Sequence, residues 1–175
     1  MISFTDTKEE YFETSDGLKL HFTDTDKGGS GAVILCLAGL TRSSRDFDFV
    51  TPHLMDKHRL IKLDARGRGK SQYAEDFTSY NVQREALDVI ELLDYLGLSK
   101  VAILGTSRGG IVSMVLATTA KERLIGVCLN DIGPVIQQEG LDRIKNYLGF
   151  PPTASTLQQF ALERQKKMYE FENVP

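Results

Sequence analysis

The sequence predicts an α/β fold in which a mostly parallel sheet carries helices on both faces. Short, continuously apolar runs of strand length recur along the chain, as in strands that are buried on both faces. These runs alternate with amphipathic segments of helical period. That order implies right-handed crossovers between neighbouring parallel strands.

The strands follow in order from the amino terminus. Asp16-Gly17 separates two β-prone runs, 11–14 and 18–23, which predicts an antiparallel hairpin at the start of the domain. The predicted parallel strands share a run of Val, Ile, Leu, Ala or Cys; they are 32–37, 60–63, 101–104 and 125–129.

Three helices are predicted between these strands. Residues 81–96 form the clearest amphipathic pattern, with Ser79 or Asn81 as the N-cap and Gly97 as the stop. The mainly apolar residues 109–120 predict a helix buried against the sheet, and the weaker pattern 44–57 is limited or bent by Pro52. Beyond residue 134 only helices are predicted, at 136–147 and 156–172.

Composition excludes several classes of protein. The chain has 175 residues, 41% of them hydrophobic, and a net charge of -3, which argues against a nucleic-acid partner. It contains neither an apolar run of membrane-spanning length nor a signal peptide, so we predict a cytoplasmic protein that does not bind membranes. Cys36 and Cys128 lie in apolar runs and are predicted to be buried reduced thiols. No motif calls for a cofactor or a metal.

The segment from Gly105 to Gly109 reads G-x-S-x-G, follows an apolar strand directly and opens an apolar helix. This is the strand-turn-helix setting of a nucleophile elbow, with Ser107 as the nucleophile. The two glycines let the strand and the helix approach closely around a strained serine. The alternative is that Ser107 or Thr106 merely caps the helix.

A second motif runs from Asp64 to Ser71 and ends like a phosphate-binding loop, in Gly-Lys-Ser. Asp64 stands where such a loop needs its first glycine, and the residues that follow are a poor helix start. The preferred interpretation is a turn whose Asp and Arg side chains tie loops together.

These motifs, together with residues 38–42 after the first long strand, resemble the α/β-hydrolase superfamily over about Glu10 to Pro134. The resemblance implies that Asp64, Arg66 and Gly67 belong to a structural loop near the site. It also implies that the loop at Gly39 and the residue after the nucleophile donate backbone N–H groups to an oxyanion. Those donors are Leu40 and Arg108. The usual His-Gly of the first loop is here Ala38-Gly39.

The catalytic acid and base are less evident. Asp131 follows the last predicted strand and is a candidate acid, although it could equally cap the turn at Gly133-Pro134. His21, His53 and His58 all lie far upstream of the elbow and are predicted to be ordinary surface or half-buried side chains. The resemblance implies that the last strands and a catalytic histidine lie beyond Pro175.

The predicted organisation is a hydrolase core at 1–133, followed by the start of a helical lid at 134–175. The predicted function is hydrolysis of an ester or related activated carbonyl, or of a carbon–carbon bond, through an acyl-enzyme on Ser107. A segment absent from this chain would supply the base. The alternative is a truncated, catalytically silent hydrolase-like domain used for binding. Predicted partners are a small-molecule substrate and either a downstream segment or a second copy on an exposed sheet edge.

Overall fold

A computed structural model describes residues 7–25, 30–146, 148–149 and 153–167. The chain forms two compact units, Met1–Val135 and Ile136–Pro175. The division falls close to the boundary at 133/134 that the sequence predicts between core and lid. The role of the second unit as a lid stays a prediction.

The first unit is built on one six-stranded sheet with the order β1-β2-β4-β3-β5-β6. The strands are β1 Lys8–Glu13, β2 Lys19–Asp24, β3 Ile34–Leu37, β4 Leu60–Leu63, β5 Val101–Thr106 and β6 Leu124–Asn130. The hairpin β1-β2 is antiparallel and joins β4 antiparallel, whereas β4, β3, β5 and β6 are parallel to one another. The predicted fold class is confirmed.

The helices of the described residues are α1 Thr51–Leu54, α2 Val82–Tyr95, α3 Arg108–Thr119, α4 Gln138–Lys145 and α5 Leu157–Lys167, with 3₁₀ turns at 44–47, 77–79 and 121–123. The Asn81 side chain accepts a hydrogen bond from the Arg84 N–H (2.9 Å), so Asn81 is the N-cap of α2. Gly97 has a φ of 65°, in the left-handed region that favours glycine, and it ends the helix.

The predicted single helix over 44–57 is wrong. The segment folds as the 3₁₀ turn and the short helix α1, which begins at Thr51 with Pro52 in its first turn. Proline fits the first turn of a helix because its missing N–H would have no partner there. In the interior of a single helix over 44–57, Pro52 would remove a backbone hydrogen bond. The part of the last predicted helix beyond 167 lies outside the described residues.

Two apolar clusters cover the two faces of the sheet. One packs Leu35, Leu37 and Ile61 against α2 and α3, and the other packs Cys36 and Leu60 against residues around α1. Alternate residues of β3 therefore point into different clusters, as the period of a strand requires. This packing fixes the carboxyl ends of β3 and β5, where the site residues lie.

Strand β6 differs from the other parallel strands because it forms an edge of the sheet. Ile125 is 59% exposed and Cys128 is exposed, so the prediction that this run and this thiol are buried is wrong. Among the described residues no strand pairs with the outer side of β6. No helix of the described residues has the length and hydropathy needed to cross a membrane.

The two cysteines are expected to differ sharply in reactivity. Cys36 is buried, and burial raises the pKa of its thiol to about 12, whereas Cys128 lies on the exposed edge. Because the thiolate is the reactive form, one thiol of the dilute 175-residue chain should react rapidly with an aromatic disulfide reagent and the second only after unfolding. Cys128→Ser should remove the rapid phase and Cys36→Ser should keep it. Two rapid thiols would contradict this assignment.

Candidate active site

The strained backbone positions of the described chain lie after the neighbouring strands β3, β5 and β6. Thr41, Ser107 and Asp131 are its non-glycine residues with positive φ, at 69°, 49° and 54°. Such conformations cost about 1–3 kcal/mol each, and they cluster at functional sites. The carboxyl ends of parallel strands, where ligands bind in open α/β sheets, are therefore the candidate site.

Ser107 stands between β5 and α3 with no intervening loop. Its N–H donates to the Asn130 carbonyl (2.9 Å), and its own carbonyl accepts from the Ile111 N–H (3.1 Å). Its side chain forms no capping hydrogen bond, and Thr106 Oγ1 accepts from the Asn130 amide instead. Neither hydroxyl therefore caps α3, and the Ser107 hydroxyl has no hydrogen-bond partner in the part of the chain that the structure describes.

The glycines of the elbow lie where a side chain would collide with backbone. A Cβ on Gly109 would overlap the Leu37 carbonyl oxygen, and one on Gly105 would lie 2.7 Å from the Gly109 carbonyl oxygen. Helix α3 thus touches β3 and β5 directly at its first turn. This contact brings the loop after β3 beside Ser107.

Residues 38–42 form that loop. A Cβ placed on Gly39 would lie 3.5 Å from Ser107 Cβ, and the Arg42 N–H donates to the Gly39 carbonyl (3.1 Å). No hydrogen bond within the described residues uses the backbone N–H of Leu40 or of Arg108. Both predicted donors are therefore available beside the serine.

The Arg108 side chain is anchored by a contact that the sequence did not predict. Its Nε donates to Glu85 (2.9 Å), and a terminal nitrogen donates to Glu85 (2.8 Å) and to the Tyr80 carbonyl (3.3 Å). Glu85 lies on α2, and its side chain is only 10% exposed. The residue after Ser107 is thus fixed to a second helix. No spacing rule joins residues of different helices, so no sequence signal was available.

The loop from Asp64 to Ser71 does not bind phosphate in the way that its ending suggests. The Asp64 carboxylate accepts from the N–H groups of Ser44 (2.7 Å) and Lys70 (3.0 Å). A Cβ on Gly69 would overlap this carboxylate. The side chain of Asp64 therefore occupies the space in which a phosphate loop would hold its anion.

Arg66 ties this loop to two other parts of the sheet unit. Its side chain is fully buried and reaches Asp88 on α2 (2.6 Å) and Asp16 in the hairpin turn (3.0 Å). Gly67 has φ 66°, and a Cβ there would lie 2.6 Å from the Tyr80 ring. The loop is a cross-link between the hairpin, β4 and α2, which agrees with the interpretation preferred from the sequence.

The Asp16 carboxylate makes the stability of this cross-link depend on pH. Burial opposes its ionisation, but hydrogen bonds from Arg66 and Thr14 outweigh that effect and lower the pKa of Asp16 from 3.8 to about 2. A lowered pKa stabilises the folded state above the unfolded value, and this contribution is lost as the pH falls from 3.8 toward 2. Asp16→Asn should flatten the decline of unfolding free energy over this range in urea titrations. Parallel plots of unfolding free energy against pH for the native protein and for Asp16→Asn would contradict the assignment.

The histidines do not complete the site within the described residues. His21 is 2% exposed and its Nδ1 lies 2.8 Å from Asp64 Oδ2, so the prediction that it is a surface or half-buried side chain is wrong. No hydrogen bond of the described residues joins His21, His53 or His58 to Ser107.

Asp131 is exposed and directly follows Asn130, whose carbonyl accepts from the Ser107 N–H. Within the described residues it makes no hydrogen bond to the turn at Gly133-Pro134. No group of three His, Cys, Asp or Glu side chains in the described chain could hold a metal ion.

Comparison with known proteins identifies the family. A model of the alpha/beta hydrolase fold matches residues 32–156, which include the loop at Gly39 and the elbow. The chain is an α/β-hydrolase. This hydrolase is 37% identical over 127 residues to a 3-hydroxybutyrate-oligomer hydrolase of Cupriavidus necator, covering 73% of this chain and 43% of that protein.

A soluble epoxide hydrolase of Corynebacterium sp. is 28% identical to this hydrolase over 125 residues, covering 71% of this chain and 42% of that protein. The crystal structure of an alpha/beta hydrolase from Novosphingobium aromaticivorans superposes with a TM-score of 0.85 at 36% identity, covering 92% of this chain and 56% of the other. The chain thus spans less than half the length of these two curated relatives.

Proposed function

We propose that this α/β-hydrolase cleaves an ester, or a related activated carbonyl or carbon–carbon bond, through an acyl-enzyme on Ser107. The observation that carries the proposal is the strained, uncapped Ser107 beside two unused backbone donors. The relative named as a 3-hydroxybutyrate-oligomer hydrolase supports an ester as the substrate.

In the proposed reaction Ser107 Oγ attacks the carbonyl carbon while a base takes the hydroxyl proton. The backbone N–H groups of Leu40 and Arg108 stabilise the negative charge on the carbonyl oxygen. The tetrahedral intermediate expels the alcohol, which receives the proton from the base. Water then attacks the acyl group by the same route and releases the acid and the free serine.

A serine nucleophile favours the acyl-enzyme mechanism over a mechanism that passes through an alkyl ester intermediate. Opening an epoxide or displacing a halide through such an intermediate needs a carboxylate nucleophile, and position 107 carries a hydroxyl. The resemblance to a protein named as an epoxide hydrolase therefore supports the fold rather than that reaction.

We assign the acid of the triad to Asp131 and the base to a histidine outside these 175 residues. The strained Asp131 follows β6 next to the residue that binds the Ser107 N–H, which supports its role. The absence of any described hydrogen bond between a histidine and Ser107 supports an external base.

Labelling with a fluorophosphonate probe tests the nucleophile. The native protein, with the segment that supplies the base in place, should be labelled on Ser107. Ser107→Ala should abolish this labelling, and the substitution Ser99→Ala at an exposed serine should retain it.

An assay of ester turnover tests the external base. Removing a triad base costs about 10⁶-fold in kcat, so the 175-residue chain alone should turn over esters very poorly. Robust ester turnover by the isolated chain that is lost in Ser107→Ala would contradict an external base. Labelling that survives in Ser107→Ala would contradict the nucleophile.

The exposed edge of β6 supports a partner segment, either further polypeptide or a second copy of the chain. An unpaired edge with exposed apolar side chains is a template for strand pairing. The Cys128 thiol reports on both possibilities, because a covering segment should slow its reaction at every protein concentration and self-association only at high concentration. A compact monomer whose Cys128 reacts as rapidly at high concentration as in the dilute 175-residue chain would contradict self-association, and the same rapid reaction in a longer native protein would contradict a covering segment.

The alternative is a catalytically silent hydrolase-like domain that binds a ligand or partner. It is favoured by the lack of a described base beside Ser107. Failure of the native, folded protein to react with the fluorophosphonate would support it.

A further inference from the structure

We propose that Arg42 binds a carboxylate of the substrate beside Ser107, so that the preferred substrates are anionic esters with a free carboxylate near the scissile carbonyl. This inference rests on the function proposed for Ser107 and names its substrate class. It is carried by the position of Arg42 and by the part of its guanidinium that has no hydrogen-bond partner among the described residues.

Arg42 lies in the same loop as the proposed oxyanion donor Leu40. A Cβ placed on Gly39 would lie 3.6 Å from Arg42 Cγ and 3.5 Å from Ser107 Cβ, so the side chains of Arg42 and Ser107 both lie next to Gly39. The hydrogen bond from the Arg42 N–H to the Gly39 carbonyl (3.1 Å) fixes the turn between them. A guanidinium on this side chain is therefore within reach of a substrate whose carbonyl lies at Ser107.

One edge of the guanidinium is held and the other is open. Arg42 Nε donates to Asp46 Oδ2 (2.8 Å), while neither terminal nitrogen has a partner among the described residues. The side chain is 63% exposed, so a ligand can reach it from solvent. The two terminal nitrogens of arginine form a planar fork that matches both oxygens of a carboxylate. Asp46 thus orients the fork without occupying it.

The other arginines of the sheet unit are used differently. Terminal nitrogens of most of them donate to acceptors of the protein itself; these are Arg59, Arg66, Arg68, Arg84, Arg108 and Arg123. Arg45 is the matched exception, since it is 89% exposed and only 3.9 Å from Asp48. No contact places Arg45 beside Gly39 in the described residues, so it serves as the control for a nonspecific surface charge.

The experiment compares monomethyl succinate, which carries one carboxylate, with dimethyl succinate, which carries none. Binding to the 175-residue protein is followed by ¹⁵N NMR at the Arg42 Nε–H and the Ser107 amide. Monomethyl succinate should shift both signals saturably and bind about five- to tenfold more tightly than the diester. Arg42→Gln should remove this preference, Arg42→Lys should keep part of it, and Arg45→Gln should keep all of it.

Equal affinity for the two esters, no binding of either, or equal effects of Arg42→Gln and Arg45→Gln would overturn the proposal. Unchanged amide signals away from residues 38–48 would establish that each variant is folded. The readout needs no turnover, so failure of Ser107 to react with fluorophosphonate would contradict the proposed function without deciding the role of Arg42. In a turnover assay of the native protein, Arg42→Gln should raise KM for p-nitrophenyl hemisuccinate more than it changes KM for p-nitrophenyl butyrate.

Discussion

Gly109→Ala should abolish stable folding or cost more than about 3 kcal/mol of unfolding free energy. A methyl group there would overlap the carbonyl oxygen of Leu37, which is backbone in the middle of the sheet unit and cannot rotate away. Relief requires α3 to move from β3. Because the first turn of α3 carries Arg108 and β3 leads into the loop of Leu40, the same movement separates the two proposed oxyanion donors.

The matched control is Gly126→Ala on β6. No atom lies within 4 Å of a Cβ at Gly126, and its φ is not in the positive range. A strand alanine there should change the unfolding free energy by no more than about 0.5 kcal/mol in urea titrations. Similar urea midpoints of unfolding for Gly109→Ala and Gly126→Ala would contradict the direct contact between α3 and β3. Fluorophosphonate labelling of any folded Gly109→Ala protein should also be lost.

The parts of the fold that the sequence predicted correctly depend on local signals. Asp16-Gly17 specifies the hairpin, Asn81 and Gly97 bound α2, and the apolar runs place the strands within a few residues. The sharp turn from β5 into α3 at Ser107 could also be predicted, because its glycines and serine lie within five consecutive residues. A geometry formed by neighbouring residues leaves its pattern in the sequence.

The errors concern positions that depend on strand order or on distant contacts. The runs that form β3 and β6 are similarly apolar, but β3 lies inside the sheet and β6 at its edge, so Cys36 is buried and Cys128 is exposed. Burial of His21 depends on Asp64, 43 residues away, and the anchor of Arg108 lies 23 residues away at Glu85. No periodicity connects such pairs before the chain is folded.

Arg66→Met should destabilise the protein by about 3–5 kcal/mol, because it leaves the buried carboxylate of Asp88 without its principal cation. The Arg66 side chain is fully buried, and the Asp88 side chain is 2% exposed. Burial raises the pKa of Asp88 even though Arg66 and Arg84 favour its ionised form. Loss of Arg66 removes the larger share of that support, and it also separates the loop after β4 from α2 and from the hairpin turn.

Lys70→Met is the control, because it removes an ion pair from the same loop at an exposed position. Lys70 and Glu9 are 53% and 57% exposed, and ion pairs at such exposed positions contribute little to stability because solvent screens them. Adding Asp88→Asn to Arg66→Met should recover part of the lost stability, because the buried charge that lacks its cation is then gone. If Arg66→Met and Lys70→Met have equal effects in urea titrations, the cross-link is not what holds the loop to α2. A loss in Arg66→Met that Asp88→Asn deepens would instead assign the cost to lost packing of the arginine stem.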